Sequence, residues 1–316
     1  MALKDIKAKI GATNRTHKVT RAMEAVSAVK MRKTQQAAFA GRPYARAALQ
    51  ILARLSGSPD LARHPLMRGF RQLPHAPSGG DLRNPRIALV VITSDKGLAG
   101  ALNSGVIKAA SDYLVQHQVL HTQVTVYAYG KKGNEFFARR GYRIAREWEN
   151  KKDEVERSVM EELARELGGG FMLGDYDQVL VAYSNFKSTF EQAPTIRTLL
   201  PLSVENVRQL VEDIVPEKGF KGVPRTHEAT PAYTIEPEGA DVLGMLVPRL
   251  VAISLYHMLL EAKASEHSAR MVAMKNASDK SKEVAHDLTR LFNKIRQAAI
   301  TREVSEIVGG REALAE

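Results

Sequence analysis

Apolar and polar positions along these 316 residues follow two different periods, and the switch between them divides the chain. Over residues 266–314 there is no proline and no glycine before Gly309, and Val284, Leu288, Leu291, Ile295 and Ala298 recur at alternating steps of four and three. That spacing predicts a long helix with one narrow apolar seam, too thin to stand without a partner helix. Residues 3 to about 55 have the same texture. Leu3, Ile6, Ile10, Thr13 and His17, then Val19, Met23, Val26 and Val29, form a second narrow, partly polar seam. At about 1.5 Å per residue such a helix runs on the order of 80 Å, and the two ends are expected to pair as an antiparallel coiled coil. Gly41 and Pro43 predict a kink near residue 42. His17 and Met23 are expected to pack in the seam. On the side opposite the C-terminal seam, Asn293, Arg296, Gln297 and Thr301 offer amide, guanidinium and hydroxyl groups in place of the Glu-Lys pairs of a solvated face. Those groups suit contact with another polar surface.

Between the two helices the period changes. Residues 59–85 carry Pro59, Pro65, Pro74, Pro77 and Pro85 with an SGG, which predicts a linker. RIALVVIT, at 86–93, is an unbroken apolar, β-branched run, the mark of a strand buried on both faces. A glycine-containing turn and a helical stretch to about Gln118 follow it. Further strands are expected at 123–129, 142–148 and 178–183, with helices at 131–140 and 155–167 between them. Residues 195–202 read as an edge strand because Pro194 and Pro201 bound them. The predicted fold class is therefore α/β: a long antiparallel coiled coil of the terminal helices plus a small central Rossmann-like sheet domain. The expected division is 1–58 (N-terminal helix), 59–85 (linker), 86–215 (α/β domain), 216–239 (linker) and 240–316 (C-terminal helix). Pro248 falls in the first turns of that last helix and could bend it.

Composition sharpens this in three ways. Cysteine is absent, so there is no disulfide framework, thiolate nucleophile or Cys-ligated metal site, and a reducing, cytosolic environment is expected. The longest apolar run, 245–260, is broken by Pro248, Arg249, Ser254 and His257, and the start MALKDIKAKI has no signal core, so a soluble or peripheral protein is expected. Charge is uneven. Residues 1–54 hold twelve Lys/Arg against Asp5 and Glu24, which accounts for +10 of the chain's +11. So local an excess implies an acidic partner, whether nucleic acid, anionic lipid or an acidic protein surface.

Ser94-Asp95-Lys96-Gly97-Leu98-Ala99-Gly100, between a strand and a helix, invites a phosphate-site reading, since a helix N-terminus attracts anions. It fits neither G-x-G-x-x-G nor G-x-x-x-x-G-K-[ST], and no acidic residue follows at the spacing for a ribose contact. The histidines show no metal-ligand spacing and there is no nucleophile elbow, so no catalytic constellation, cofactor or metal site is expected.

IKAKIGATNRTHKVTRAMEAVSAVKMRKTQ near the N-terminus, TSDKGLAGALN in the middle, and EHSARMVAMKNASDK with NKIRQAAITREVSEIVGG near the C-terminus together resemble the gamma subunit of F-type ATP synthase. The resemblance implies a non-catalytic rotor. Its terminal helices would form a shaft inside a ring of three alpha and three beta subunits, with the α/β domain at the foot beside the epsilon subunit and the membrane c-ring. It implies no cofactor, no nucleic acid, membrane contact only through the complex, and a peripheral place on the cytoplasmic side of a bacterial inner membrane. Carried over residue by residue, Arg296, Gln297 and Thr301 match positions that engage a loop of beta. Met23 matches the position on the facing helix near an acidic segment of beta, which Lys18, Arg21, Lys30, Arg32 and Lys33 would attract; an arginine such as Arg296 can hold a carboxylate through two donors. This chain departs from the family's GLCGG at Ala99 and Ala101. Alanine at 101 requires a negative φ there, and the loop is expected to be slightly altered and without a binding role. The lack of cysteine excludes the thiol switch of chloroplast members.

Overall fold

The computed structural model describes residues 3–40, 64–67, 85–150, 155–203 and 239–313. The kink expected near residue 42 lies outside them, as does most of both expected linkers. In chain order the elements are α1 (Leu3–Ala40), β1 (Ile87–Ile92), α2 (Leu102–Gln116), β2 (Val124–Tyr129), α3 (Lys131–Arg139), β3 (Arg143–Trp148), α4 (Arg157–Leu173), β4 (Gln178–Phe186), β5 (Gln192–Leu200) and α5 (Gly239–Ala313). They form two compact units, one of Met1–Ala28 with Arg270–Glu316 and one of Val29–Ala269.

The larger unit is built on a five-stranded sheet in the order β3-β2-β1-β4-β5. The first four strands are parallel and β5 runs antiparallel to β4. Central β1 is buried at all six positions, as its unbroken apolar run requires. Ile87, Leu89 and Val91 pack under α2 and α3, through Val106, Leu114 and Phe137. Ala88, Val90 and Ile92 face α4 and the first half of α5, through Leu163, Leu167, Leu250 and Leu255. Edge strand β3 is mostly exposed and carries Arg143, Arg146 and Glu147, charges that discourage pairing with another chain. The other edge is β5, where Pro194 falls opposite Ser184. The apolar start of α5 is long and apolar enough to cross a membrane by composition alone, Pro248 notwithstanding. Here Leu243, Val247, Leu250, Val251 and Leu259 are buried instead against the protein's own core.

In the smaller unit α1 runs toward Ala28 while α5 enters at Arg270, so the two helices pack antiparallel. His17 Nδ1 bonds the Ser278 carbonyl at 2.9 Å, with the Ser278 hydroxyl also 2.9 Å away.

The seam of α1 corrects the sequence reading. Ile6, Thr20 and Ser27 are buried, with Ile10, Thr13, His17 and Glu24 half-buried between them; farther along, in the larger unit, Met31, Thr34 and Ala38 are buried. The three-four spacing that starts at Ile6 thus continues unbroken. Val19, Val26 and Val29, expected in the seam, are 57%, 54% and 68% exposed. A step from His17 to Val19 turns the helix by about 200°, so those valines must lie opposite the residues before them. The threonines enter without orphaned donors, because Thr20 and Thr34 give their hydroxyls to the carbonyls of Thr16 and Lys30 at 2.9 and 3.0 Å. On α5 the seam shifts likewise. Met274, Ser278 and Ala285 are buried and Ser281, Leu288, Phe292, Ile295 and Ala299 half-buried. Leu288 and Ile295 are where expected; Val284, Leu291 and Ala298 are exposed.

Candidate partner-contact surface

Arg296, Gln297 and Thr301 are all exposed on α5, as is Asn293. The Thr301 hydroxyl donates to the Gln297 carbonyl at 2.9 Å, which fixes its rotamer and leaves the hydroxyl's lone pairs outward. Taking His17 and Ser278 as one level and counting along each helix, Leu3 lies level with about residue 292 of α5. Beyond that level α1 has ended, and every described side chain from Ile300 to Val308 is exposed. Ile300, Val304, Ile307 and Val308 are 51% to 71% exposed. The far end of α5 therefore combines polar donors with an uncovered apolar stripe.

Met23 is half-buried at the edge of the seam. Counting the rise on both sides of the His17–Ser278 contact puts it about 36 Å along the axis from Arg296, so the structure does not bring these two candidates together. Of the basic candidates, Lys18, Arg21, Arg32 and Lys33 are exposed and Lys30 half-buried. Lys18 and Arg21 belong to the smaller unit, Lys30, Arg32 and Lys33 to the larger. They flank the valine stripe, which the sequence reading placed inside; continuing the strict three-four spacing from Ile6 would have found it.

At the end of β1, Ala101 has φ −87°, as the substitution at this position required. The loop also holds Leu98 at φ +64° with its side chain 61% exposed. Ser94 and Asn103 bond to each other across it. Ser94 N donates to Asn103 Oδ1 at 2.9 Å, Asn103 Nδ2 donates to Ser94 Oγ at 2.7 Å, and Ser94 Oγ donates to the Lys96 carbonyl at 2.6 Å. The first three amides of α3 are taken as well. Lys131 N donates to Asp95 Oδ1 at 2.9 Å, Lys132 N to the Ser94 carbonyl at 3.3 Å, and Gly133 N to Thr93 Oγ1 at 2.9 Å. The anion at this helix N-terminus is thus the chain's own carboxylate. Asp95 also acts on Tyr129, whose hydroxyl is pushed up to about 12, first by burial and then by the charges of Asp95 and Glu156.

Taken together, a pair of terminal helices, a sheet domain whose β1–α2 turn bonds within itself and to the start of α3, and polar and apolar groups displayed on exposed helix faces describe a paired-helix protein carrying an α/β domain. Sequence models agree. A family described as ATP synthase matches residues 2–314. The ATP synthase gamma chain of Roseiflexus castenholzii is 38% identical over 315 residues, 99% of this chain and 98% of the relative. That of Pelotomaculum thermopropionicum is 36% identical over 314 residues, 99% of each. The chain belongs to the ATP synthase family and, within it, to the gamma chains. The fold also resembles a chain of the Euglena gracilis mitochondrial ATP synthase, with a TM-score of 0.61 at 17% identity over 99% of this chain and 94% of the other. A chain of the Tetrahymena thermophila mitochondrial ATP synthase central stalk and c-ring gives 0.53 at 24% identity over 82% of this chain and 99% of the other.

Proposed function

We propose that the chain is the non-catalytic central stalk of an F-type ATP synthase, turning inside a ring of alpha and beta subunits and coupling ion flow to ATP synthesis or hydrolysis on beta. The observation that carries this reading is the end of α5, which runs on past the level of Leu3 with Arg296, Gln297, Thr301 and an apolar stripe displayed together. A stalk biases a catalytic site only through contacts that differ between rotational positions. The asymmetric pairing of one long and one shorter helix supplies such a difference. In this reading Arg296, Gln297 and Thr301 engage one segment of beta, while Met23, Lys18, Arg21, Lys30, Arg32 and Lys33 face an acidic segment of beta at a second level. The epsilon subunit and c-ring meet the α/β domain, residues 86–215, with 59–85 and 216–239 as linkers to the helices of 1–58 and 240–316. The complex sits on the cytoplasmic side of a bacterial inner membrane, touched by this chain only through its partners, and nucleic acid is not among them.

The direct test is reconstitution with the cognate alpha and beta subunits. A stable complex whose ATP hydrolysis depends on this chain is expected; failure to assemble, with hydrolysis unchanged, overturns the proposal. Tight, steeply salt-dependent DNA binding by the isolated chain would count for a nucleic-acid reading instead.

A further inference from the structure

The seat of α5 on the sheet turns polar at its far end. Through Leu250, Val251, Leu255 and Leu259 the helix contributes to an ordinary apolar core. Over its next turns α5 is buried almost throughout, and Glu261, Ser265 and Ser268 are among the residues that meet β4, β5 or the turn between them. Ser265 and Ser268 are both 0% exposed. Ser265 Oγ donates to the Ser184 carbonyl in β4 at 2.9 Å, and Ser268 Oγ to the Thr189 carbonyl, in the turn between β4 and β5, at 2.6 Å. Gln192 Nε2 closes the arrangement, reaching Ser268 Oγ at 3.4 Å and the carbonyls of Ser188 and Thr189 at 3.1 and 3.0 Å. The turn is itself braced, since Ser188 Oγ accepts from the amides of Phe190 and Glu191 and Lys187 pairs with Glu191 at 3.2 Å. The sequence prepares the acceptor in β4. The residue opposite Ser184 is Pro194, which has no N–H to give, and a serine hydroxyl from α5 supplies a donor. One turn earlier Glu261 bonds His257 at 2.9 Å and acts, with Arg197 of β5, on the buried Tyr183 hydroxyl.

Apolar contact is non-directional, so a helix seated on grease alone can roll or slide a little at small cost. Hydrogen bonds to fixed backbone carbonyls are held to narrow distances and angles. Two hydroxyls three residues apart, reaching two carbonyls on one hairpin, are satisfied at a single rotation and axial position of α5. We propose that this clasp, Ser265 and Ser268 against the β4–β5 hairpin, keys the rotational phase of α5 to the sheet domain, so that turning force applied to the domain enters the helix without slip. These are positioning residues, and the inference rests on the rotor reading above. The helix they hold is α5, Gly239–Ala313.

Two measurements test it. In the isolated chain, Ser265→Ala with Ser268→Ala is expected to speed amide hydrogen exchange at residues 188–191 by about tenfold, the equivalent of one lost buried bond, while β1 stays protected. In the assembled complex in inverted membrane vesicles, the same double variant is expected to keep ATP hydrolysis near the parent rate while ATP-driven ion pumping falls about fivefold or more. Ser268→Thr, which keeps the hydroxyl, retains pumping. Unchanged exchange, unchanged pumping, or a parallel fall in hydrolysis and pumping overturns the clasp. If the unsubstituted chain fails to assemble with its partners, the rotor reading falls and the clasp's coupling role with it, whatever the exchange experiment shows.

Discussion

Thr93 and Asp95 hold the start of α3 through geometry with no slack, and the glycine that begins it shows this most directly. Gly130 has φ +103°, and a Cβ placed on it would lie 2.0 Å from the Thr93 carbonyl oxygen. Gly130→Ala is therefore expected to cost on the order of 3 kcal/mol or more in chemical denaturation, since backbone strain and a backbone clash add. Gly97, three residues before the left-handed Gly100, has open space around its Cβ position and no positive φ. Gly97→Ala should shift stability by less than about 0.5 kcal/mol. Tyr129, beside the same loop, sets a pH limit. Its folded hydroxyl is pushed up to about 12 whereas an unfolded tyrosine ionises near 10. Its contribution to stability is thus complete below pH 10 and is lost as pH rises from 10 through 12. Alkaline denaturation followed by circular dichroism should show a shallower decline in that window for Tyr129→Phe. Part of the decline should remain, because burial also raises the hydroxyls of Tyr127 and Tyr183.

At the level of elements, legibility tracked how much of an element's position is decided by its own side chains. The strands were readable because β1 and β4 are apolar on both faces and cannot be placed anywhere but the sheet centre. Pro194 marked β5 as an edge for the same local reason. The seams were misread because apolarity and phase disagree. Thr20, Ser27 and Thr34 lie inside while Val19, Val26 and Val29 lie outside, and only continuity of spacing with Ile6 and Met31 tells which set wins. Small seam residues let two helices approach closely, so burial there selects for size over hydrophobicity. One pair of variants separates the two phases. Val26→Lys places a charge on a 54% exposed position and should change stability by no more than about 0.5 kcal/mol. Ser27→Lys forces an ammonium into a position 3% exposed and should cost about 2 kcal/mol or more in thermal melts. The opposite order would restore the seam expected from hydrophobicity alone. The α5 clasp was invisible for another reason: Ser265 and Ser268 are unremarkable until Ser184 and Thr189 are brought beneath them.

For the whole molecule, stability and function separate along α5. Its first half is buried in the sheet domain's core, whereas the described side chains of its last turns are exposed and bond within their own helix, as Thr301 does to Gln297 and Arg302 to Glu306. Arg296 and Gln297 are exposed on a stretch that helix rise places beyond α1, so they add little to folding. In the proposed reading, an arginine and an amide displayed there act on another chain, where a guanidinium can bind a carboxylate through two parallel donors. Arg296→Ala combined with Gln297→Ala should accordingly leave the melting temperature of the isolated chain within about 1 °C of the parent. In the assembled complex the same double variant should lower coupled ATP synthesis several-fold, because a contact made on one helix face biases a catalytic site only in the rotational positions that present it. Parallel measurement of melting and synthesis decides the matter. A fall in melting temperature would show these residues to be packing groups, whereas unchanged synthesis with unchanged melting would move the contact with beta elsewhere on the stalk, to the level of Met23 and its basic neighbours.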